Sequence, residues 1–353
     1  MKHQSFVDWM KAVGMLLIVT GHVFGDPYHI FNSISQPIYT KQLGVAFFVF
    51  ITGWSLANET RGGFRVVFNR IFPVYFYGIF FAVLLSTIYF SIGADINESN
   101  YMPFFGGINV FFNYFPANPT TWYIGTYLHL LLFWFFFFRG KEIGKRHLVG
   151  AFLFENIVRC TLLYWDQNMV AYMLLPNWLT VFLLGGYLYK RRDNRWTPKV
   201  VLLCVVLVLI LAFWSSSFNL LSFDKSFPFR EILIDDLWEL PLRSLLISTF
   251  YLASAMVVFE IARCLPLFRL VSFFARNTLI IFIVHMPIIY AFSQYIVGVS
   301  DVIWIRKMVL IFMVFVGIAI MSELIQKCIN VKYFCNKSWS GLNKIFPQYL
   351  SNK

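Results

Sequence analysis

The feature that most restricts this chain is an apolar run about as long as a bilayer is thick, recurring ten times between residues 9 and 325. Roughly 20 apolar residues per run cannot be hidden ten times over in one soluble core. In lipid, a helix is the form in which such a run satisfies its own backbone. The runs lie near 9–29, 38–58, 71–93, 122–138, 147–165, 169–189, 199–217, 243–262, 273–297 and 304–325. They predict an all-α, polytopic integral membrane protein with ten transmembrane helices. Composition agrees: 59% of the 353 residues are hydrophobic and only 13% are charged. The fifth run is interrupted by Glu155 and Arg159, which are four apart on a helix and expected to pair inside the bundle. The first run reads as an uncleaved anchor, because no small-residue cleavage site follows His22. With no internal repeat or low-complexity tract, the chain divides into one membrane domain over 1–330 and a short basic cytoplasmic tail over 331–353.

A net charge of +12 would suggest nucleic acid in a soluble protein. Here the cations gather at alternate ends of the runs, and no nucleic-acid partner is expected. Of 29 Lys and Arg, 22 fall before the first run, in the loops after the second, fourth, sixth and eighth, or in the tail. Only Lys41, Lys225, Arg230, Arg243, Arg306 and Lys307 fall on the other side, with Arg159 inside a run. The positive-inside bias therefore predicts both termini in the cytoplasm. Two longer loops on the opposite side, 94–121 and 218–242, are polar enough for a wet vestibule or acceptor site, or are solvated connectors. Cys160, Cys204, Cys264, Cys328 and Cys335 are scattered, with neither a disulfide pattern nor metal-ligand spacing.

Chemistry is sought first in the opening run. Lys11 and His22 are eleven residues apart, about three helical turns, so they share a face some 16 Å apart along the axis. Asp8 falls close to that face. An imidazole deep in an apolar span, aligned with ionic groups at its mouth, marks a functional path by default. His22 is the candidate general base, or the carrier of a transferred group. Lys11 and Asp8 are candidates for donor binding or path lining. His285, followed by Met286 and Pro287 in the ninth run, is a second polar site. His129 in the fourth run has a packing role as an equal reading, and His3, His29 and His147 lie near run ends. Arg65 and Arg70 precede the third run, where guanidinium groups suit phosphates. Pro73 stands where a helix start tolerates proline, and Arg61 reads as an ordinary anchor. Thr52 and Gly53 permit close helix contact. Trp122 and Tyr123 read as interfacial aromatics.

The order D-x-x-K-A-x-G then G-H, F-F-V-F-I-T-G, R-I-F-P-V-Y, W-Y-I and N-T-L-I-I-F-I-V-H-M-P-I resembles the membrane acyltransferase-3 family over residues 5 to about 325. The family's first-span signature, a basic residue and a histidine with ten residues between, corresponds to Lys11 and His22. Lysine stands where arginine is commoner, keeping the charge but giving up the bidentate fork. The family's third-span arginines correspond to Arg70 and Arg65, and its ninth-span histidine to His285. The resemblance implies a multi-pass O-acyltransferase of the bacterial inner membrane. Within the family the chain looks most similar to polysaccharide and fucose-type O-acetyltransferases. The implied donor substrate is acetyl-CoA or another acyl-CoA, with no bound cofactor or metal. The implied acceptor is a cell-surface glycan or lipid-linked glycan, reached among membrane lipids. The rival reading is a glycan or small-molecule transporter or flippase, with Asp8, Lys11, His22, Glu155 and Arg159 lining its path. Inverted repeats and paired broken helices would favour that rival, and the sequence has neither.

Overall fold

A computed structural model describes residues 4–24, 40–59, 63–191, 198–199, 201–207, 238–296 and 298–345. Among these the regular elements are all helical. The main ones are α1 (Ser5–Phe24), α2 (Thr40–Ala57), α3 (Phe64–Ser91), α4 (Trp122–Phe133), α5 (Lys145–Tyr164), α6 (Leu179–Tyr189), α7 (Glu239–Cys264), α8 (Arg269–Ile296), α9 (Ile303–Phe312), α10 (Ile318–Cys328) and α11 (Val331–Ile345). A π-helical turn, Trp134–Phe138, prolongs α4, and another, Met313–Gly317, joins α9 to α10. Among the described residues six stretches are long and apolar enough to cross a membrane: Ser5–Val23, Phe64–Ser91, Pro119–Phe138, Leu240–Cys264, Arg269–Phe292 and Ile303–Cys328. Phe90, Phe136, Ile157, Leu270 and Phe312 all point outward, as the lipid-facing side of a bundle must. The chain is an all-α, polytopic membrane protein. Most of the seventh run and of the loop 218–242 lies outside the described residues, as do His3, His29 and Arg61.

Small residues let the central helices close up. A Cβ on Gly44 of α2 would overlap the Gly14 carbonyl of α1, and one on Gly53 would overlap the Phe182 carbonyl of α6. The contact expected of Thr52 and Gly53 is therefore made, by backbone approach that a larger residue would block. α1 also packs along α8 and α7, which places it at the centre of the bundle.

Charge inside α5 is neutralised on the spot. Arg159 and Glu155 pair at 2.6 Å with both side chains 1% exposed. The guanidinium also donates to the Asn177 side-chain oxygen, the Ser244 carbonyl and the Ser248 hydroxyl, each at 2.8 Å. The second carboxylate oxygen accepts from the Thr180 hydroxyl and backbone N–H. A buried pair is tolerable only when its remaining donors and acceptors are filled in this way.

One local expectation is corrected. α3 starts at Phe64, so Pro73 sits inside the helix rather than at its start. Having no N–H, Pro73 gives nothing to the Asn69 carbonyl four residues back. The end of the bundle carrying Arg65, Arg70 and Arg276 is called the basic end below. There α11 lies against α3, with ring contacts Phe68–Trp339 at 5.1 Å and Phe76–Phe334 at 5.7 Å.

Candidate active site

Pro287 organises the centre of α8. Lying inside the helix, it has no N–H to offer the carbonyl of Ile283 four residues back. The segment before α4 fills the gap: the Asn118 amide and the Thr120 hydroxyl both donate to that carbonyl, Thr120 at 3.0 Å. Part of the polar loop 94–121 is thus folded into the bundle, with Asn118, Thr120 and Thr121 buried.

Two residues further along, His285 is fully buried. Its Nδ1 lies 2.7 Å from the Phe282 carbonyl and 3.2 Å from the Ile281 carbonyl. Carbonyls only accept, so this network assigns the proton of the neutral ring to Nδ1 and leaves a lone pair on Nε2. That Nε2 has no protein hydrogen-bond partner among the described residues. The ring stands 5.0 Å from that of His22, centroid to centroid, with the planes tilted by 54°. Lys41, at the start of α2, is close enough for its charge to act on both rings.

On the basic side of this pair lies a cavity of about 190 Å³. Its polar lining is Lys11, Thr52, Tyr123, Tyr127 and Thr278, and Phe48, Leu279 and Phe282 supply apolar wall. Phe282 divides cavity from histidines, its ring centroid 5.4 Å from Tyr123 and 5.8 Å from His285. The two candidates on α1 therefore lie at successive levels of the bundle. Lys11 enters the cavity, and His22 meets His285 roughly 16 Å further along the axis.

The other predicted residues divide. Asp8, buried, accepts a hydrogen bond from the Ser272 hydroxyl at 2.8 Å, tying α1 to α8. Arg70 donates to the Ser55 hydroxyl at 2.9 Å and pairs with Glu59 at 3.1 Å. Its charge also reaches Tyr127 and Lys11, which line the cavity, while Arg70 itself stands outside that lining. Arg65 is exposed and acts instead on Cys335 of α11. Five residues apart on a helix, Arg65 and Arg70 point about 140° away from each other, so they do not form one clamp. His129 stacks near Phe111, with ring centroids 5.6 Å apart, and His147 Nδ1 accepts from the Gly144 N–H that caps α5. Both fit structural roles.

Three residues take places that the sequence reading did not give them. Tyr123 and Tyr127 are four apart on one face of α4, a spacing that should have marked a lined path. Lys41 counts in the sequence only among the cations on the far side, but its charge lies close enough to act on both histidines. Trp122, read as interfacial, is buried beside Tyr172 and Trp178 at ring distances of 4.9 and 6.3 Å, which corrects that expectation. An aromatic at a span end is apt for either place, and only packing chooses.

A family model described as an acyltransferase domain matches residues 4–322, which takes in both histidines and the whole cavity lining. No curated protein and no solved structure matches the chain.

Proposed function

The chain belongs to the membrane acyltransferase-3 family, and from that premise we propose that it O-acetylates a cell-surface glycan, drawing on cytoplasmic acetyl-CoA at a bacterial inner membrane. The observation that carries this reading is the pairing of His22 with His285, whose tautomer presents a bare Nε2 toward the bundle interior. In this reading the ring of His22 takes the proton of an acceptor hydroxyl. The oxygen then attacks the thioester carbonyl of the donor, the carbon–sulfur bond breaks, and coenzyme A leaves as its thiolate and takes up a proton. His285, its ring 5.0 Å from that of His22, packs beside that ring and helps hold it in place for the transfer. The charge of Lys41, close enough to act on both rings, would stabilise negative charge developing at the carbonyl oxygen. Lys11 and Arg70 stand on the donor side, where the basic end faces the cytoplasm, and the cavity between takes the acyl-bearing arm.

Transport is the weaker reading. Its charged path required Glu155 and Arg159, and these are closed off by each other and by their neighbours. The test is mass spectrometry of surface glycans from cells with the wild-type chain, without it, and with His22→Gln. Loss of an acetyl-mass increment in both of the latter is expected. Glycans unchanged by deletion would sink the proposal.

A further inference from the structure

A second cavity, about 370 Å³, lies between α3, α8, α10 and α11 at the basic end. Two i, i+4 pairs line it, Asn69 with Pro73 on α3 and Lys332 with Asn336 on α11, and Arg276 of α8 completes its cationic wall. α11 is built to provide that wall. Val331, Cys335 and Trp339 form its buried stripe, and the Cys335 thiol lies 3.6 Å from the Asn69 side-chain oxygen that accepts from it. The next stripe round the helix, Lys332 and Asn336, is thereby turned to the cavity. Arg276 is 64% exposed and 4.0 Å from Glu323, a loose contact that leaves its guanidinium other donors. Arg65, misaligned with Arg70, is close enough to act on Cys335 in this same wall. A crevice that only completed helix packing would be closed by apolar side chains. This one is walled in large part by apolar side chains such as Tyr77, Leu279 and Ile280, but it stays open and carries two cations, Arg276 and Lys332, beside side-chain amides.

Leu279 lines both this cavity and the inner one that holds Lys11. Along α8 the order is Arg276, Leu279, Phe282, His285, three residues or roughly 4.5 Å of rise at each step. Arg276 and His285, nine residues apart, face opposite sides of α8, so the link between the cavities is Leu279, past which a ligand with its anionic end among the cations would reach the inner cavity.

We propose that this cavity is the subsite for the phosphorylated nucleotide end of acyl-CoA, with Lys332 and Arg276 as phosphate ligands and α11 as a required wall. The inference rests on the acyl-CoA reading of the function. It makes the C-terminal helix part of the binding machinery and explains why Arg65 faces away from the inner site. Phosphate on a lipid headgroup has the same local chemistry, and the experiment separates the two.

The full chain is reconstituted in phosphatidylcholine nanodiscs and, in parallel, in nanodiscs containing phosphatidylglycerol. Transfer to added glycan is measured with acetyl-CoA and with acetyl-3′-dephospho-CoA. The wild type should show a lower KM for acetyl-CoA than for the dephospho donor. Lys332→Ala and Arg276→Ala should each raise the KM for acetyl-CoA about tenfold, as loss of one charge-assisted contact does, with kcat nearly unchanged. Each should also reduce the discrimination between donors, and Lys332→Arg should restore it. Both substituted side chains are exposed, so folding is spared. If transfer persists and both variants keep the wild-type KM and discrimination, the subsite is refuted while the acyltransferase reading stands. An effect confined to phosphatidylglycerol nanodiscs assigns the cavity to lipid and equally refutes it. No transfer from either donor by the wild type overturns the underlying reading instead.

Discussion

At the residue scale the proposed chemistry gives two imidazoles different jobs. His285 is pinned by backbone carbonyls at Nδ1, which suits it to an orienting role. His22, on another helix, is the ring that can meet a substrate proton. His22→Gln keeps hydrogen bonding but cannot take up a proton at neutral pH. It should reduce acyl transfer by about 10²–10⁴-fold, the typical worth of a general base, at unchanged membrane insertion. Near-normal transfer by that variant in a radiolabelled-acetyl assay would move the base elsewhere, with His285 next in line. Arg70 works at the other end of the path. Arg70→Ala should weaken acyl-CoA binding by about 1.5–3 kcal/mol, the value of hydrogen bonds to a charged group. Calorimetry on the folded variant checks this, and unchanged affinity would confine Arg70 to holding Glu59 and Ser55.

At the element scale, two helices carry defects that their neighbours repair. Pro287 opens α8, and the loop before α4 supplies the missing donors through Asn118 and Thr120. Thr120→Val should therefore destabilise by about 0.5–1.5 kcal/mol, the net worth of one hydrogen bond, because Asn118 still donates to the carbonyl. In Pro287→Ala, which restores the N–H, the same change should cost markedly less. Thermal melts of the four proteins in the cycle measure the coupling, and simple additivity would refute the repair. In α5, Arg159→Ala should cost about 3–5 kcal/mol by leaving Glu155 buried without its partner. A melting temperature near that of the wild type would show that Glu155 finds protons or water on its own. The rule behind both cases is the same. A polar atom held away from water must be satisfied, and the helix that carries the defect cannot satisfy it alone.

At the scale of the whole molecule, the expected arrangement is a directional path, with donor-binding cations at one end, histidines across the bundle, and the acceptor arriving from the far side. That arrangement depends on orientation. Reporter fusions at Lys225 and Lys353 should report opposite sides of the membrane, with Lys353 cytoplasmic. Both on one side would contradict the split of basic residues from which the orientation follows.

The sequence by itself determined the class of the protein, its helices through most of the chain and its family, because span length and 3.6-residue periodicity are local properties read along one strand of text. It also determined that Lys11 and His22 share a face, since both are on one helix. It misplaced the start of α3, because Pro73 is compatible with a helix start and with a helix interior whose carbonyl is served elsewhere. Only the tertiary structure paired His22 with His285, brought the charge of Lys41 near them, put Tyr123 and Tyr127 in the cavity wall and set Arg65 near Cys335 while Arg70 pairs with Glu59. Those facts are distances between helices far apart in sequence. They are set by backbone approach at Gly44, Gly53 and Gly185 and by the carbonyl that Pro287 leaves open, and no periodicity within a single helix encodes where its neighbour will lie.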